Sequence, residues 1–413
     1  MRFLFLTQYF PPEIGGAQVQ LGAIVRELLR RGHEVDVVTA MPNYPKGRVF
    51  DGYRGRFYST EDWGGAAVHR VWLHAAVGGG LNRLANYGSF ALSCLYGLAR
   101  SRRPDWIYVE SPSLLLGVPG RLAGLLWNRP FVFNVGDLWP DSIRELGALK
   151  SPAVLKALEA LEAWSYREAR FVNADTEGIY DTLVGRKGVP ADKVLFFPIG
   201  VDVSLFRPAS PDQALARELD LAGRKVLLYA GTLGFAQGLE VALQAMDRLK
   251  DSNPDLLLLL VGDGSTKAAI RRQAEAMRLP NVRFLDPRPE ADIARLCTLS
   301  YAGFACLKDL PLFEGARPSK VFPYMAAGLP VVYSGSGELP RLLARADGGI
   351  AVHPGDPALL ADALAGLVAD PDRAAQMGRN GRAYALQHLD WSTIVGHWLD
   401  CLEGRALPTP PEA

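Results

Sequence analysis

The chain has 413 residues, of which 49% are hydrophobic and 22% charged, with 45 Lys plus Arg against 44 Asp plus Glu. This length exceeds one ordinary hydrophobic core and predicts two domains. The balanced charge argues against a general polyanion-binding surface, so we expect no nucleic-acid partner. The cysteines form no CxxC pair, which argues against a zinc site and favours a reducing, cytoplasmic compartment; they are Cys94, Cys297, Cys306 and Cys401.

Apolar runs typical of buried strands alternate with helical patterns through the first half of the chain. RFLFLT (residues 2–7) precedes a helical pattern and the apolar run EVDVVTA. DWIYVE, a second helical pattern and PFVFNVG repeat the alternation. Strands that are apolar throughout and separated by helices predict a parallel sheet covered on both faces, a doubly wound α/β domain.

The alternation restarts after PIGVDVSLFRP (residues 198–208), a Pro- and Gly-rich stretch that we interpret as the interdomain linker. KVLLYAG and DLLLLLVGDG then begin a second Rossmann-like α/β domain. We predict an N-terminal domain at 1–203, completed by a C-terminal helix at 389–404, a second domain at 204–388, and a disordered tail at 405–413. We expect the two domains to face a central cleft at the carboxyl ends of their strands.

The longest uncharged run covers residues 84–99 and ends next to Arg100, Arg102 and Arg103. It is shorter than the ~20 residues that span a bilayer. We predict a core helix, and the alternative is a surface helix that contacts anionic lipid.

Two turns that join a strand to a helix contain paired glycines. FPPEIGGAQVQ carries Gly15 and Gly16, and YAGTLGFAQGLE carries Gly231 and Gly234. Glycine lets the backbone approach a ligand closely, and the amides of a helix start favour an anion. The alternative for both turns is an ordinary structural connection.

GARPSKVFPYMAAGLPVV (residues 315–332) predicts a helix start followed by a buried strand. Ser319 is a suitable N-cap, while Lys320 opposes the helix dipole unless an anion binds there. A solvated surface lysine is the alternative. Pro323 would be the fourth helical residue if Ser319 caps the helix, and the third, with no hydrogen bond lost, if Lys320 does.

Two acidic motifs are candidates for catalysis or metal binding. Asp137, in NVGDLWPDS, directly follows a strand, where it could act in catalysis or cap the turn. The DPD at residues 370–372 has the spacing of a metal motif but lies between two helical patterns, so we predict no metal site.

GVDVSLFRP, LFEGARPSKVFPYMAAGLPVV and the glycines near Gly15 resemble the family 4 retaining glycosyltransferases of the GT-B fold. NVGDLWPDS and AGTLGFAQGLE are similar to a bacterial branch, the fucosamine and colanic acid transferases of surface polysaccharide assembly. The resemblance implies a metal-independent hexosyltransferase without cofactors, which takes a nucleotide diphosphate sugar, expected to be a UDP-sugar. The acceptor would be a lipid-linked saccharide or glycan, and peripheral contact with the inner face of the plasma membrane is expected.

The resemblance also implies roles for individual residues. Lys320 would stabilise the leaving diphosphate, Asp137 would act as a base or orient the acceptor, and Glu314 would lie near the sugar hydroxyls. The diphosphate would contact residues 231–234 and the helix start, and the base would contact the loops near 262–264 and 286–288. The implied donor-binding residues are Gly15, Gly16, Gly231, Thr232, Gly234, Gln237, Gly262, Asp263, Pro287, Arg288, Arg317, Ser319, Lys320 and Pro323.

Three positions depart from the family pattern. Thr232 and Gln237 are uncharged where many relatives carry Arg and Lys, and Pro323 stands where the branch has a ribose-binding glutamate. Loss of that charged hydrogen bond would weaken donor binding by about 1.5–3 kcal/mol. Two alternatives therefore stay open, a degenerate non-catalytic partner protein and a UDP-sugar 2-epimerase on the same fold.

Overall fold

The structure, a computed structural model, describes residues 1–13, 15–44, 47–76, 81–111, 113–145, 151–310, 315 and 317–411. The chain forms two compact units, one of Met1–Ile199 with Ile394–Ala413 and one of Gly200–Thr393. These boundaries lie a few residues from those predicted at 203 and 389.

The first unit contains one sheet with the strand order β3-β4-β2-β1-β5-β6-β7-β8. Its neighbours are parallel except for the antiparallel pair β3 and β4. Its strands are β1 (Arg2–Leu6), β2 (Glu34–Ala40), β3 (Tyr58–Trp63), β4 (Ala66–Val71), β5 (Trp106–Glu110), β6 (Phe131–Val135), β7 (Phe171–Ala174) and β8 (Val194–Phe196). Its helices are α1 (Gly16–Arg30), α2 (Leu81–Arg100), α3 (Gly117–Trp127), α4 (Asp141–Glu145), α5 (Pro152–Glu168) and α6 (Glu177–Asp181).

The second unit contains a fully parallel sheet with the strand order β11-β10-β9-β12-β13-β14. Its strands are β9 (Lys225–Ala230), β10 (Leu256–Val261), β11 (Val282–Leu285), β12 (Ser300–Cys306), β13 (Val331–Ser334) and β14 (Gly349–Val352). Its helices are α7 (Gln213–Glu218), α8 (Glu240–Leu249), α9 (Lys267–Ala276), α10 (Glu290–Cys297), α11 (Val321–Ala326), α12 (Leu339–Ala346), α13 (Pro357–Ala369) and α14 (Pro371–Tyr384). Every residue of β10 is buried, as expected for a strand covered on both faces. The prediction of two parallel-sheet α/β domains is confirmed.

The last helix, α15 (Trp391–Leu402), ends in the first unit. Trp398 is buried there, with its ring centroid 5.2 Å from Phe197 and 5.7 Å from Phe3. Its indole N–H donates to Asn173 Oδ1 at 3.2 Å. A large aromatic side chain buried with a satisfied N–H anchors the C-terminal segment to the first sheet.

Helix α2 covers the uncharged run predicted as a core helix, and only one of its faces is buried. Tyr87, Phe90 and Cys94 are buried, whereas Leu92 is 73% exposed and Leu95 is 41% exposed. The core interpretation therefore holds for one face. No helix within the described residues is long and apolar enough to cross a membrane.

Candidate active site

In the second unit, the loops that follow β9 and β10 pack directly against each other. Gly262 has φ +147°, and a Cβ there would lie 1.9 Å from the Gly231 carbonyl oxygen. Gly264 has φ +158°, and its Cβ would lie 2.2 Å from the Leu233 carbonyl oxygen. These glycines are therefore required by the contact between the two loops, whether or not a ligand is bound.

Three of the four backbone amides of residues 231–234 are already used by the protein. The amide of Gly231 donates to the Val261 carbonyl at 2.9 Å, and that of Leu233 donates to Asp263 at 2.9 Å. The Gly234 amide donates to Gln237 Oε1 at 3.1 Å. The predicted contact between residues 231–234 and a diphosphate therefore depends on the remaining amide, that of Thr232.

One amide among residues 231–234 remains for a ligand. Exposed Thr232 has no hydrogen-bond acceptor for its backbone N–H among the described residues. Gln237, predicted as a donor contact, uses its side-chain oxygen within the turn. Residues 231–234 therefore offer a single amide and the Thr232 hydroxyl to a ligand.

Lys320 lies across this loop. A Cβ at Gly231 would lie 3.0 Å from Lys320 Cε, and the Lys320 ammonium is 5.4 Å from the ring centroid of Tyr229. Burial lowers the pKa of Lys320, with an opposing contribution from the nearby Cys306. Burial raises the pKa of the Cys306 thiol to about 12, so that neighbour is neutral.

No described carboxylate lies within 4.0 Å of the Lys320 ammonium. A half-buried cation without an acidic partner is unfavourable until an anion binds beside it. This cation is the main electrostatic feature of the site.

The helix after Lys320 begins one residue later than the preferred prediction. Lys320, not Ser319, is the N-cap residue of α11, and it makes no side-chain cap hydrogen bond. The amides of Val321 and Phe322 donate to Pro318 and Ser319 carbonyls at 3.3 and 3.1 Å. The amides open to an anion among the described residues are therefore those of Ser319 and Lys320.

Pro323 is accommodated by this helix start. With Lys320 as the cap, Pro323 is the third helical residue, a position whose N–H has no helical acceptor. Its carbonyl accepts the amide of Ala327 at 2.9 Å, so the helix continues normally. Pro323 is half-buried and leaves part of its ring accessible.

Three further side chains fix the geometry, and sequence reasoning identified only one of them. The Tyr324 hydroxyl accepts the amide of Ala230 at 2.7 Å, and the Tyr229 hydroxyl donates to the Thr232 carbonyl at 2.6 Å. Buried Arg317 lies over Phe322, with its guanidinium carbon 5.2 Å from the ring centroid. Tyr324 thus ties α11 to the end of β9, and Tyr229 fixes the loop that follows β9.

The residues predicted to surround the base lie at the ends of β10 and β11. Asp263, Pro287 and Arg288 are all exposed. Lys267 donates to Asp286 at 2.7 Å, and this hydrogen bond lowers the pKa of Asp286. Glu314, the remaining predicted catalytic residue, lies outside the described residues.

In the first unit, the helix start predicted at Gly15 and Gly16 is present. Gly15 is the N-cap of α1 without a side-chain cap, and the first turn has no acidic residue. A Cβ at Gly16 would meet no atom within 4 Å. The protein's own packing therefore does not require glycine at position 16, which leaves open space beside a helix N-terminus.

A buried glutamate missed by sequence reasoning positions this turn. Glu13 accepts the backbone amides of Phe10, Asn43 and Tyr44 at 3.2, 2.7 and 2.8 Å. Burial raises the pKa of Glu13, and these amides oppose that shift. The only sequence signal was an acidic residue inside the otherwise apolar turn FPPEIGG.

Asp137 follows β6 and is exposed. Its Oδ2 accepts a hydrogen bond from the Ser142 hydroxyl at 3.2 Å. This is the turn-capping geometry that the sequence left open, and it keeps the carboxylate accessible. Asp137 and the Lys320 site belong to different units.

A pair of carboxyls lies buried at the same edge of the first sheet. Glu110 ends β5 and Asp175 follows β7, and a Cβ at Gly136 would lie 3.7 and 3.0 Å from their oxygens. Burial raises the pKa of Asp175 to about 7 and that of Glu110 well above its usual value. Gln20 donates to Asp175 at 3.5 Å, so α1 contacts the pair. The sequence carried no signal for this pair, because its members are far apart in the chain.

Comparison with known proteins assigns the chain to a family. The Glycosyl transferase 4-like domain matches residues 15–200, and the Glycosyl transferases group 1 domain matches residues 213–384. The chain is a family 4 glycosyltransferase with the GT-B fold. It is 28% identical over 419 residues to the putative colanic acid biosynthesis glycosyl transferase WcaI of Escherichia coli K12, covering 98% of this chain and 100% of the relative.

Solved structures show the same fold. HepE of Anabaena, in complex with UDP-glucose, superposes with a TM-score of 0.71 at 20% identity and covers 98% of this chain and 100% of its own. Sucrose-phosphate synthase of Thermosynechococcus elongatus superposes with a TM-score of 0.74 at 18% identity and the same coverage. Within the described part of this glycosyltransferase, no group of three or more His, Cys, Asp or Glu is placed to hold a metal ion.

Proposed function

We propose that this glycosyltransferase moves a sugar from a UDP-sugar to a lipid-linked or glycan acceptor in surface polysaccharide synthesis, with retention of anomeric configuration. The observation that carries the proposal is the half-buried Lys320 ammonium, which has no acidic partner among the described residues. A nucleotide diphosphate supplies the missing negative charge. HepE binds UDP-glucose and WcaI is named for colanic acid biosynthesis, which supports the choice of donor and pathway class.

Transfer breaks the bond between the anomeric carbon and the diphosphate oxygen and forms a bond from that carbon to an acceptor oxygen. Negative charge then develops on the leaving diphosphate, where the Lys320 ammonium stabilises it without a metal ion. The free amides of Thr232, Ser319 and Lys320 add hydrogen bonds to the same group. The acceptor proton passes to a departing phosphate oxygen.

The first unit contributes the start of α1. The open space at Gly16 lies beside helix amides that no side chain caps. A sugar phosphate at this position would gain from the positive end of the helix dipole. Gly16 would thus contact the transferred sugar, as the family resemblance implies.

The donor would be held mainly through its diphosphate and its base. Pro323 has no side-chain acceptor for ribose hydroxyls, while exposed Arg288 and Asp263 are available near the predicted position of the base. We therefore expect weaker UDP binding than in a relative with glutamate at position 323.

The test is a thermal-shift screen with UDP-, GDP- and ADP-sugars, followed by measurement of UDP release with and without acceptor lipid. A bound donor raises the unfolding temperature by mass action. We expect stabilisation by UDP-sugars and release of UDP that depends on the acceptor. Donor turnover without acceptor would favour an epimerase, and the absence of binding by every nucleotide sugar would contradict the proposal.

A further inference from the structure

The first unit has a cavity of about 540 Å³ that the donor chemistry does not use. Met41, directly after β2, and Trp72, directly after β4, line it, so it lies at the carboxyl edge of the sheet. Its size is in the range of small-molecule sites. Three arginines, Arg48, Arg54 and Arg56, line the same cavity.

Two of the three arginines have no acidic partner in the described part of the chain, which leaves the cavity positively charged. Arg48 and Arg56 are exposed and have no ion-pair partner among the described residues. Arg54 is 3.0 Å from Asp51, whose side chain is 89% exposed. Guanidinium groups bind phosphate oxygens in pairs, so three in one cavity favour a phosphate ligand.

An apolar surface leads from this cavity onto α2. Phe57 lines the cavity and is 54% exposed, and its ring centroid is 5.5 Å from that of Tyr96. One helical turn before Tyr96 is Leu92, which is 73% exposed. Residues four apart share one face of a helix, so Phe57, Tyr96 and Leu92 form a continuous apolar track.

We propose that the cavity binds the phosphate or diphosphate head of a lipid-linked acceptor and that the aliphatic chain of this lipid follows the track along α2. The proposal rests on the proposed glycosyl transfer and names the chemical class of its acceptor. A bare anion would contact only the arginines, and a neutral lipid would contact only the track. An amphipathic lipid phosphate would contact both.

The probe is farnesyl diphosphate, titrated by calorimetry into the full chain in the presence of saturating UDP. UDP occupies the diphosphate site at Lys320, so the heat reports the arginine cavity. Farnesyl diphosphate should bind at least roughly tenfold more tightly than either inorganic diphosphate or farnesol. Its affinity should fall as salt is raised, because the head contacts exposed charges.

One cavity variant, one track variant and two matched controls distinguish binding at this site from nonspecific binding to the protein surface. Arg56→Glu should weaken binding of farnesyl diphosphate roughly 5- to 20-fold, and Leu92→Ser should weaken it roughly threefold. The controls are Arg167→Glu, at a residue whose side chain is 70% exposed, and Leu126→Ser, at a residue 78% exposed on α3. Neither control should change the affinity.

The inference is overturned if the controls weaken binding as much as the pocket variants do. It is also overturned if inorganic diphosphate binds as tightly as farnesyl diphosphate, since the track then contributes nothing. UDP binding measured on the same samples separates the two proposals. Intact UDP binding with no lipid selectivity removes only the acceptor site, whereas absence of all nucleotide-sugar binding removes the proposed function.

Discussion

Replacement of Lys320 by methionine should separate the function of this residue from the stability of the fold. Methionine keeps an unbranched side chain of similar length and removes the charge. The ammonium is half-buried beside Tyr229 and has no acidic partner in the described part of the chain, and burial lowers its pKa. Removal of the charge therefore leaves no carboxylate unpaired, so the free energy of unfolding of the ligand-free protein should stay the same or rise.

The same substitution should strongly weaken the binding of the donor. A charged hydrogen bond to phosphate contributes about 1.5–3 kcal/mol, so UDP affinity should fall roughly 10- to 100-fold. If the interaction strengthens as the diphosphate leaves, turnover should fall further, by roughly 100- to 1,000-fold.

The assay combines chemical unfolding of the ligand-free variant, calorimetric titration with UDP and single-turnover UDP release. Lys308→Met is the matched control, because the Lys308 ammonium lies 3.6 Å from the ring centroid of Phe235 near the same loop. The control should lose little UDP affinity. Unchanged UDP affinity in Lys320→Met, combined with lower stability, would show that Lys320 is a structural cation and refute the assignment.

Three further predictions use other features of the two units. Gly262→Ala should destabilise the second unit by at least about 2 kcal/mol, because its Cβ would overlap the Gly231 carbonyl. Gly16→Ala should leave the free energy of unfolding unchanged and lower turnover. Equal effects of the two substitutions on unfolding would contradict this prediction. The pKa of Asp175 is raised to about 7, so the folded chain binds more protons than the unfolded chain between about pH 4 and 7. The free energy of unfolding should therefore fall by up to about 1.4 kcal/mol per pH unit as the pH rises through that window. Asp175→Asn should reduce this slope in denaturant titrations, and an unchanged slope would place the titration elsewhere. Pro323→Glu should tighten UDP roughly tenfold and should not disturb the helix, since an acidic residue is favourable in a first turn; unchanged affinity would mean that the ribose lies elsewhere.

The architecture was predictable because it depends on a pattern that is local in sequence. Apolar runs separated by amphipathic helices require parallel strands buried on both faces, and β10 shows this in full. The residue that caps α11 was harder to predict from the sequence. Both Ser319 and Lys320 could precede the helix, and the choice depends on the turn bonds from Val321 and Phe322.

The glycine loops were predictable in position, and the structure adds a packing requirement for one of them. Gly231 was predicted to contact the diphosphate and Gly262 to lie near the base, and Gly262 also allows two loops of the protein to touch. Such a contact joins segments about thirty residues apart and has no local signal. The same holds for Glu13, which bonds amides from two loops.

The arginines lie on one side of the carboxyl edge of the first sheet, and this placement supports the acceptor site. In the order β4-β2-β1-β5-β6-β7, the buried pair Glu110 and Asp175 lies at β5 and β7, on one side of β1. The arginine cavity lies at β2 and β4, on the other side. A lipid phosphate would be attracted by the arginines, so electrostatics directs its head to the β2–β4 side. Asp137, which follows β6, lies on the other side of the edge, where a carboxylate can orient a neutral sugar hydroxyl without repelling the phosphate head.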